Sequence, residues 1–268
     1  MVFGQLAFGG TLALAIPPFF KVERGFYKST GVVYLGAGLT SAIGLAFLAH
    51  RGDRPGSPAA ASLWALSALW ALFCVVLALY LFTLWTDNGL VRARAYTFAL
   101  ALGLVAVLDN ALTLRPAAFG IIGSIAYGMS ALSSSMVLGF ASGAMMFGHW
   151  YLIDPNLPVD YLRSLVRVLG VALVGDLVVL GLAMAALALF GGVGASAVRD
   201  LASSDLALLI FRLLVGPAAS LVLAWMCWQT LKIPQTMAAT GLLYITVMSV
   251  LVGELLGRFI LFRTAVPL

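Results

Sequence analysis

Residues 60–85 read AASLWALSALWALFCVVLALYLFTLW and contain no charged side chain. A helix rises about 1.5 Å per residue, so about 20 apolar residues cross a hydrocarbon core of about 30 Å. The stretch is long enough for one crossing, and it predicts a transmembrane helix.

The rest of the chain has the same character. Hydrophobic residues make up 63% of its 268 residues and charged residues only 9%, which excludes an ordinary soluble domain. We therefore expect an all-α integral membrane protein, a single transmembrane helical domain over residues 1–268 that contains eight spanning helices. The eight apolar runs cover approximately 2–20, 31–50, 60–86, 95–114, 117–153, 164–190, 206–231 and 235–262.

The fifth run is the unusual one, because it is too long for a single ordinary span and contains several glycines and a serine triplet at Ser133 to Ser135. We expect a surface segment first and then a crossing helix over about 130–152. Small residues in that helix, among them Gly139 and Gly143, are typical of a close contact with another helix. Pro217 predicts a kink in the seventh run.

The net charge of +5 is interpreted through topology and not through nucleic-acid binding, because basic residues in a membrane protein report its orientation. With the N-terminus outside, the inner segments carry Lys21, Arg24, Lys28, Arg92, Arg94, Arg163, Arg167 and Lys232. The outer segments then carry Arg51, Arg54, Arg115, Arg199 and Arg263. The excess on the inner side predicts that both termini lie outside.

The two cysteines and two histidines give no metal site. Cys74 and Cys227 stand alone in apolar runs, and the spacings contain no ligand cluster. His50 and His149 end different spans at opposite sides of the predicted membrane, so they cannot ligate one haem together. We expect His149, with Trp150 and Tyr151, to form an interfacial aromatic belt.

Several ionisable side chains lie within the runs, where each costs at least about 2.5–3.5 kcal/mol at mid-depth. His50, Asp109, Arg212, Glu254 and Arg258 fall in the outer half of the predicted membrane. The spacing of four between Glu254 and Arg258 is also that of a purely structural ion pair on one helix.

Asp176, near the middle of the sixth run, is a candidate partner for Arg212, and that pair too has a structural interpretation. An imidazole beside a carboxylate at the edge of the hydrocarbon also has a functional interpretation. It can donate a hydrogen bond to a quinone carbonyl and accept a proton from a quinol. We take His50, Asp109 and Glu254 as candidates for proton transfer, and His50, Arg212 and Arg258 as candidates for quinone binding.

Four stretches resemble a known family. VFGQLAFGGTLALA (2–15) is similar to the first span of the membrane-anchor subunit of dimethyl sulfoxide reductase, and GELLGRFILF (253–262) is similar to its last span. LAHRGDRPGSP (48–58) resembles the histidine-glycine-x-proline stretch that ends its second span, with an arginine inserted after the histidine. SGAMMFGHWYL (142–152) lies where that family has a glycine-rich fifth span.

The resemblance implies a polytopic anchor in the cytoplasmic membrane of a prokaryote, taking part in anaerobic respiration. Such an anchor holds no metal or haem, binds menaquinol or ubiquinol near the outer surface, and passes electrons to an iron–sulfur subunit that serves a molybdopterin subunit. His50 carries over as the quinol contact, and Glu254 with Arg258 as the motif of the last helix. The segment after His50 would face the partner.

One departure concerns the third span, which has a glutamate in that family and no acidic residue here; Asp109 on the next span is the candidate substitute. A membrane transporter or channel that uses Asp176, Arg212, Asp109 and Glu254 as a proton or substrate path is the second hypothesis, and a broken helix at mid-depth would favour it. An enzyme acting on lipids or isoprenoids is a remote third, because no paired metal-binding motif is present.

Overall fold

The computed structural model describes residues 1–51, 58–190, 192–233 and 235–268, and within these ranges the regular structure is entirely helical. The helices are α1 (Val2–Ala13), α2 (Arg24–Arg51), α3 (Pro58–Thr83), α4 (Gly89–Leu114), α5 (Gly120–Trp150), α6 (Val159–Phe190), α7 (Val193–Ser204), α8 (Leu206–Leu213), α9 (Ala219–Lys232) and α10 (Thr236–Thr264). The stretch 52–57, which contains most of the histidine-proline segment that follows His50, lies outside the described residues.

Seven helical spans in the described part of the chain are long and apolar enough to cross a membrane, and one of them is made of α8, the turn after it and α9. This confirms an all-α, multi-pass architecture. The prediction of eight crossings is not confirmed. The first run forms only the 12 residues of α1, a length of about 18 Å. The turns after Ala13 lead into Pro17 and Pro18, which lack the backbone N–H that a longer helix needs.

The fifth run is one continuous helix of 31 residues, preceded by a short 3₁₀ turn at Ala117–Phe119. The predicted division into a surface segment and a separate crossing helix is therefore wrong. Its serines do not interrupt the helix because their hydroxyls donate to carbonyls of the preceding turn, as Ser124 does to Gly120 and Ser135 to Ala131.

The span Leu206–Lys232, which corresponds to the seventh apolar run, is built from two helices. Between α8 and α9 the residues Leu214–Ala218 form a π-helical turn that contains Pro217. The missing N–H of a proline disturbs the regular hydrogen-bond ladder, and one wider turn accommodates it. A π turn thus occurs at Pro217, where the sequence predicts a kink. The preceding helix, α7, is short and largely exposed, and it links α6 to α8.

Consecutive spans alternate in direction and define two faces. The basic face carries the connections before α2 and between α3 and α4, which are joined by an ion pair of 2.9 Å between Arg24 and Asp87. It also carries the α5–α6 and α9–α10 connections. The opposite face carries the C-terminal segment and the α7–α8 connection, where Arg263 and Asp205 pair at 3.0 Å. His50 ends α2 at the opposite face, whereas His149 lies at the basic face.

Helix α1 packs lengthwise along α5, and the two run in the same direction. The Gln5 amide donates to the Ala131 carbonyl at 3.2 Å, and further along a Cβ placed on Gly139 would collide with the backbone of Gly9. Next in line, a Cβ on Gly143 would lie 2.7 Å from Ala13. The sequence prediction of a close helix contact at these small residues is confirmed.

The first prediction concerns this contact. Gly139→Ala should force α1 away from α5 and lower the free energy of unfolding by about 1–3 kcal/mol or more, the usual result of overpacking. Its control is Gly36→Ala, where an added Cβ meets nothing within 4 Å, so only the small helix-propensity gain applies. Thermal unfolding in detergent, followed by size-exclusion chromatography, compares them. Equal midpoints for the two variants would contradict the tight α1–α5 contact.

Candidate functional site

A buried group of charged residues joins α5, α6, α8 and α10, and we call it the Glu254 network. Its members are Ser133, Ser134, Asp176, Arg212, Glu254 and Arg258. The four ionisable side chains carry two formal positive and two formal negative charges, so the group is neutral as a whole. Each is almost completely withdrawn from the protein surface.

Glu254 lies at the centre of the network. Its Oε1 accepts a hydrogen bond from Arg212 Nη2 at 2.8 Å, and its Oε2 accepts one from Arg258 Nη2 at 3.3 Å. Arg212 is the residue on a different helix, whereas Arg258 follows one turn later on α10 itself. The carboxylate therefore holds α8 against α10, and each of its two oxygens accepts a hydrogen bond from one arginine.

Asp176 supplies the second negative charge. Its Oδ2 lies 3.9 Å from Arg212 Nη2, and its Oδ1 accepts a hydrogen bond of 2.7 Å from the Ser133 hydroxyl. On the other side of the network, Arg258 Nη2 donates to the Ser134 hydroxyl at 2.9 Å. Two adjacent serines of α5 thus contact both ends of the network.

Glycines allow Arg212 to lie across α10. Gly253 and Gly257 flank Glu254 on one side of that helix, and a Cβ on either would contact the Arg212 guanidinium or the backbone next to it. Gly253 also faces Gly216 of the π turn, with a Cβ on Gly216 lying 3.2 Å from the Gly253 Cα. Without side chains at these positions the helices approach closely enough for the ion pairs to form.

The network is closed. The space between Asp176, Arg212, Pro217 and Glu254 does not admit a water molecule. The Nε atoms of Arg212 and Arg258 are buried and have no hydrogen-bond acceptor among the described residues. A quinone ring, which is far larger than water, does not fit beside these side chains. This arrangement is suited to holding helices together.

The structure brings together three of the five predicted site residues. Arg212, Glu254 and Arg258 meet in the network, and the predicted pairs Glu254–Arg258 and Asp176–Arg212 are both present. His50 and Asp109 lie apart, exposed near the opposite-face ends of α2 and α4. Neither side chain makes a hydrogen bond or ion pair to any residue in the described ranges. Asp109 is on the helix next to α3, as a substitute for the missing glutamate requires.

The basic-face aromatic residues differ from the prediction. Trp150 packs against Phe26 and Tyr151 packs against Phe147. The Phe26 and Phe147 rings also contact each other, with centroids 5.1 Å apart. Trp150 and Tyr151 are therefore buried and do not form a lipid-facing belt. His149 is exposed, and its Nδ1 lies 3.0 Å from the Tyr244 hydroxyl of α10. Burial follows because these rings fill the wide gap between α2 and α5.

The sequence interpretation missed the serines and one arginine. It treats Ser133 and Ser134 only as an interruption, although small hydroxyl residues in the middle of an apolar run are a usual sign of polar contacts inside a bundle. It treats Arg92 only as an orientation signal, yet this side chain is buried. Metal chemistry has no candidate here, since no group of three or more His, Cys, Asp or Glu residues that could bind a metal ion occurs within the described ranges.

No family model, no curated protein and no solved structure matches this chain.

The second prediction tests the network. Glu254→Gln leaves Arg212 and Arg258 with one buried carboxylate between them, and it should destabilise the protein by about 3–5 kcal/mol. Adding Arg258→Gln restores two equal and opposite charges, so the double variant should recover part of that loss. Thermal unfolding of the purified protein measures both.

Asp87→Asn is the matched control, because it removes the carboxylate of a surface pair whose acid is 95% exposed. It should change the midpoint little. If Glu254→Gln were as mild as Asp87→Asn, or if the double variant were less stable than Glu254→Gln alone, the network would not carry the stabilising role given to it.

Proposed function

We propose that this chain is a quinone-interacting membrane anchor of a multi-subunit redox complex in the cytoplasmic membrane of a prokaryote. The observation that supports this proposal best is the packing of the segments that resemble the dimethyl sulfoxide reductase anchor. The first-span segment lies on α1, the fifth-span segment on α5 and the last-span segment on α10. These three helices contact one another, and α5 and α10 carry members of the Glu254 network.

The resemblance therefore concerns three helices that are neighbours in the bundle, although they are far apart in sequence. The fifth-span segment itself meets α1, where Gly143 faces Ala13, whereas the last-span segment meets an earlier part of α5. Gln5 of α1 bonds to α5, and Arg258 of α10 bonds to Ser134 of the same helix. In this proposal α1 takes the place of the family's first span at reduced length. The eight crossings and the outward position of both termini stay predictions, made from the apolar runs and from the distribution of basic residues.

The quinol site of this proposal is at His50, with Asp109 as a second proton acceptor. Oxidation of a quinol releases two electrons and two protons. The imidazole at the end of α2 is exposed, and at the membrane edge where this proposal has it, it can accept a proton and release it to the aqueous side. Arg212, Glu254 and Arg258 then act by positioning α10, because the closed network has no room for a ring.

The remaining partners follow from the same resemblance. Menaquinol or ubiquinol would supply the electrons, an iron–sulfur subunit would accept them, and a molybdopterin subunit would consume them. In this proposal the basic face is cytoplasmic, as the excess of basic residues favours, and the partner docks on the opposite face beside His50. The chain itself contributes the quinol contact and the proton acceptors.

A transporter is the second candidate, and one specific observation favours it. The span Leu206–Lys232 is interrupted by the π turn Leu214–Ala218 directly beside Arg212 and Glu254. Interrupted helices next to buried charges are common where transporters bind substrate. The Ser249 hydroxyl donates to the Val215 carbonyl in this turn, so α10 holds the broken segment.

The third prediction tests the quinol site. The protein, purified in mild detergent from its native membrane, should retain an iron–sulfur subunit and extractable quinone, both identified by mass spectrometry. In that complex His50→Ala should slow reduction of the partner by menaquinol about 100-fold or more, the usual contribution of general acid–base catalysis. Asp109→Asn should slow it less.

His149→Ala is the control, because it removes the other histidine, at the basic face, and should leave the rate unchanged. If the rate were unaffected by both His50→Ala and Asp109→Asn, the quinol site would not be where this proposal has it. Failure to retain any redox partner would refute the anchor itself.

The fourth prediction separates the two candidates. Proteoliposomes that contain only this chain should show no proton flux above that of empty vesicles when a pH gradient is imposed and an internal pH dye is read. Flux that disappears in Asp176→Asn and persists in Asp87→Asn would favour the transporter over the anchor.

A further inference from the structure

A buried arginine near the basic face lacks a partner of opposite charge. Arg92, in the first turn of α4, is only 7% exposed. Among the described residues no carboxylate lies within ion-pair distance of it, in contrast to the buried Arg212 and Arg258. A buried charge without a counter-charge is costly, which indicates that something else compensates it.

The protein compensates Arg92 only in part. Its Nη2 donates to the carbonyls of Thr86 at 2.7 Å and Thr83 at 3.4 Å, and its guanidinium lies 4.9 Å from the centre of the Phe19 ring. Its Nε is buried and has no acceptor in the part of the chain that the structure describes. The donor capacity of this side chain is therefore incompletely used.

A cavity of about 300 Å³ lies beside this guanidinium. Its wall is formed by the turns after α1 and by three tyrosines on α2, α3 and α4. Two of the tyrosine hydroxyls already donate to backbone carbonyls, Tyr27 to that of Pro17 at 2.9 Å and Tyr96 to that of Thr11 at 2.7 Å. The Tyr80 hydroxyl makes no hydrogen bond to the residues that the structure describes, so it is available to a ligand.

The remaining lining is aliphatic and aromatic carbon. The exposed residues Gly89 and Ala93 form the rim along α4, so the cavity opens beside that helix at the level of the basic connections. Phe20, which is 96% exposed, also lines the cavity, and the exposed Lys21 follows it in the sequence. A ligand that fits has a compact anionic end and an apolar remainder.

We propose that this cavity binds the anionic head, phosphate or carboxylate, of a membrane amphiphile. Arg92 and the Tyr80 hydroxyl donate to the head, and the apolar part extends past Ala93 into the bilayer. A neutral quinone would accept the same hydrogen bonds but leave the positive charge of Arg92 without a counter-charge, so an anion fits better. This site is separate from the quinol site proposed at His50.

The experiment uses the full chain in detergent, with bound ligands counted by native mass spectrometry and stabilisation read as a shift of the thermal midpoint. The probes are phosphatidylglycerol, oleate, phosphatidylcholine, menaquinone and inorganic phosphate. We expect saturable binding of one phosphatidylglycerol or oleate at least about tenfold tighter than of phosphatidylcholine or menaquinone. Menaquinone brings no negative charge to Arg92, and the choline ammonium of phosphatidylcholine offsets the charge of its own phosphate. Inorganic phosphate, which lacks the apolar part, should bind much more weakly.

Two variants locate the site. Arg92→Gln should weaken the binding of the anionic amphiphile about tenfold or more, whereas Arg94→Gln, the same charge change at an exposed position of α4, should not. Ala93→Phe fills the mouth of the cavity from an exposed position without altering Arg92, so it tests the site even if Arg92→Gln does not fold.

Four results of these experiments would contradict the proposed site. Retained binding in Ala93→Phe, or equal losses in Arg92→Gln and Arg94→Gln, would overturn the proposal. Preference for menaquinone would also overturn it, and would identify a quinone site instead. Inorganic phosphate that stabilises the protein as strongly as phosphatidylglycerol would show a free-anion site and overturn the role of the amphiphile.

Discussion

Arg212 and Arg258 lie among the apolar side chains of the bundle interior, and the arrangement of the helices around them depends on how their charge is balanced. Glu254 receives one hydrogen bond from each, and Asp176 adds the second negative charge. A buried ion that loses its partner costs several kcal/mol, so α6, α8 and α10 cannot separate or slide without that penalty. The network thus fixes the relative positions of three helices, and Ser133 and Ser134 extend the constraint to α5.

Small residues make this balance possible. Ion pairs between helices need backbones that approach closely, and Gly216, Gly253 and Gly257 provide that approach around Arg212. The π turn at Pro217 belongs to the same arrangement, since one wider turn displaces the following residues of α9 along the helix. The α1–α5 contact at Gly9 and Gly139 uses the same principle without any charge. Ion pairs fix the relative positions of α6, α8 and α10, and close backbone packing fixes those of α1 and α5.

Much of the fold was predictable from local signals. Runs of uniform apolar character predicted the seven long helices, and the spacing of four predicted the Glu254–Arg258 pair because residues one turn apart share a helix face. Contacts between distant segments had no such signal. Arg212 could be matched with Asp176 by depth alone, but its closer bond to Glu254 depends on which helices are neighbours. The length of α1 and the continuity of α5 depended on whether prolines and serines break a helix, and composition does not decide that.

The two groups of buried charge differ in a way that indicates where chemistry can occur. In the Glu254 network every formal charge has an opposite partner and no water enters, so no group there is free to act on a ligand. At Arg92 the charge is unmatched and borders a cavity. His50 and Asp109 are exposed at the opposite face and unengaged within the described ranges. The sites proposed above lie near the two ends of the bundle, and the closed, neutral Glu254 network between them weighs against a path through the centre.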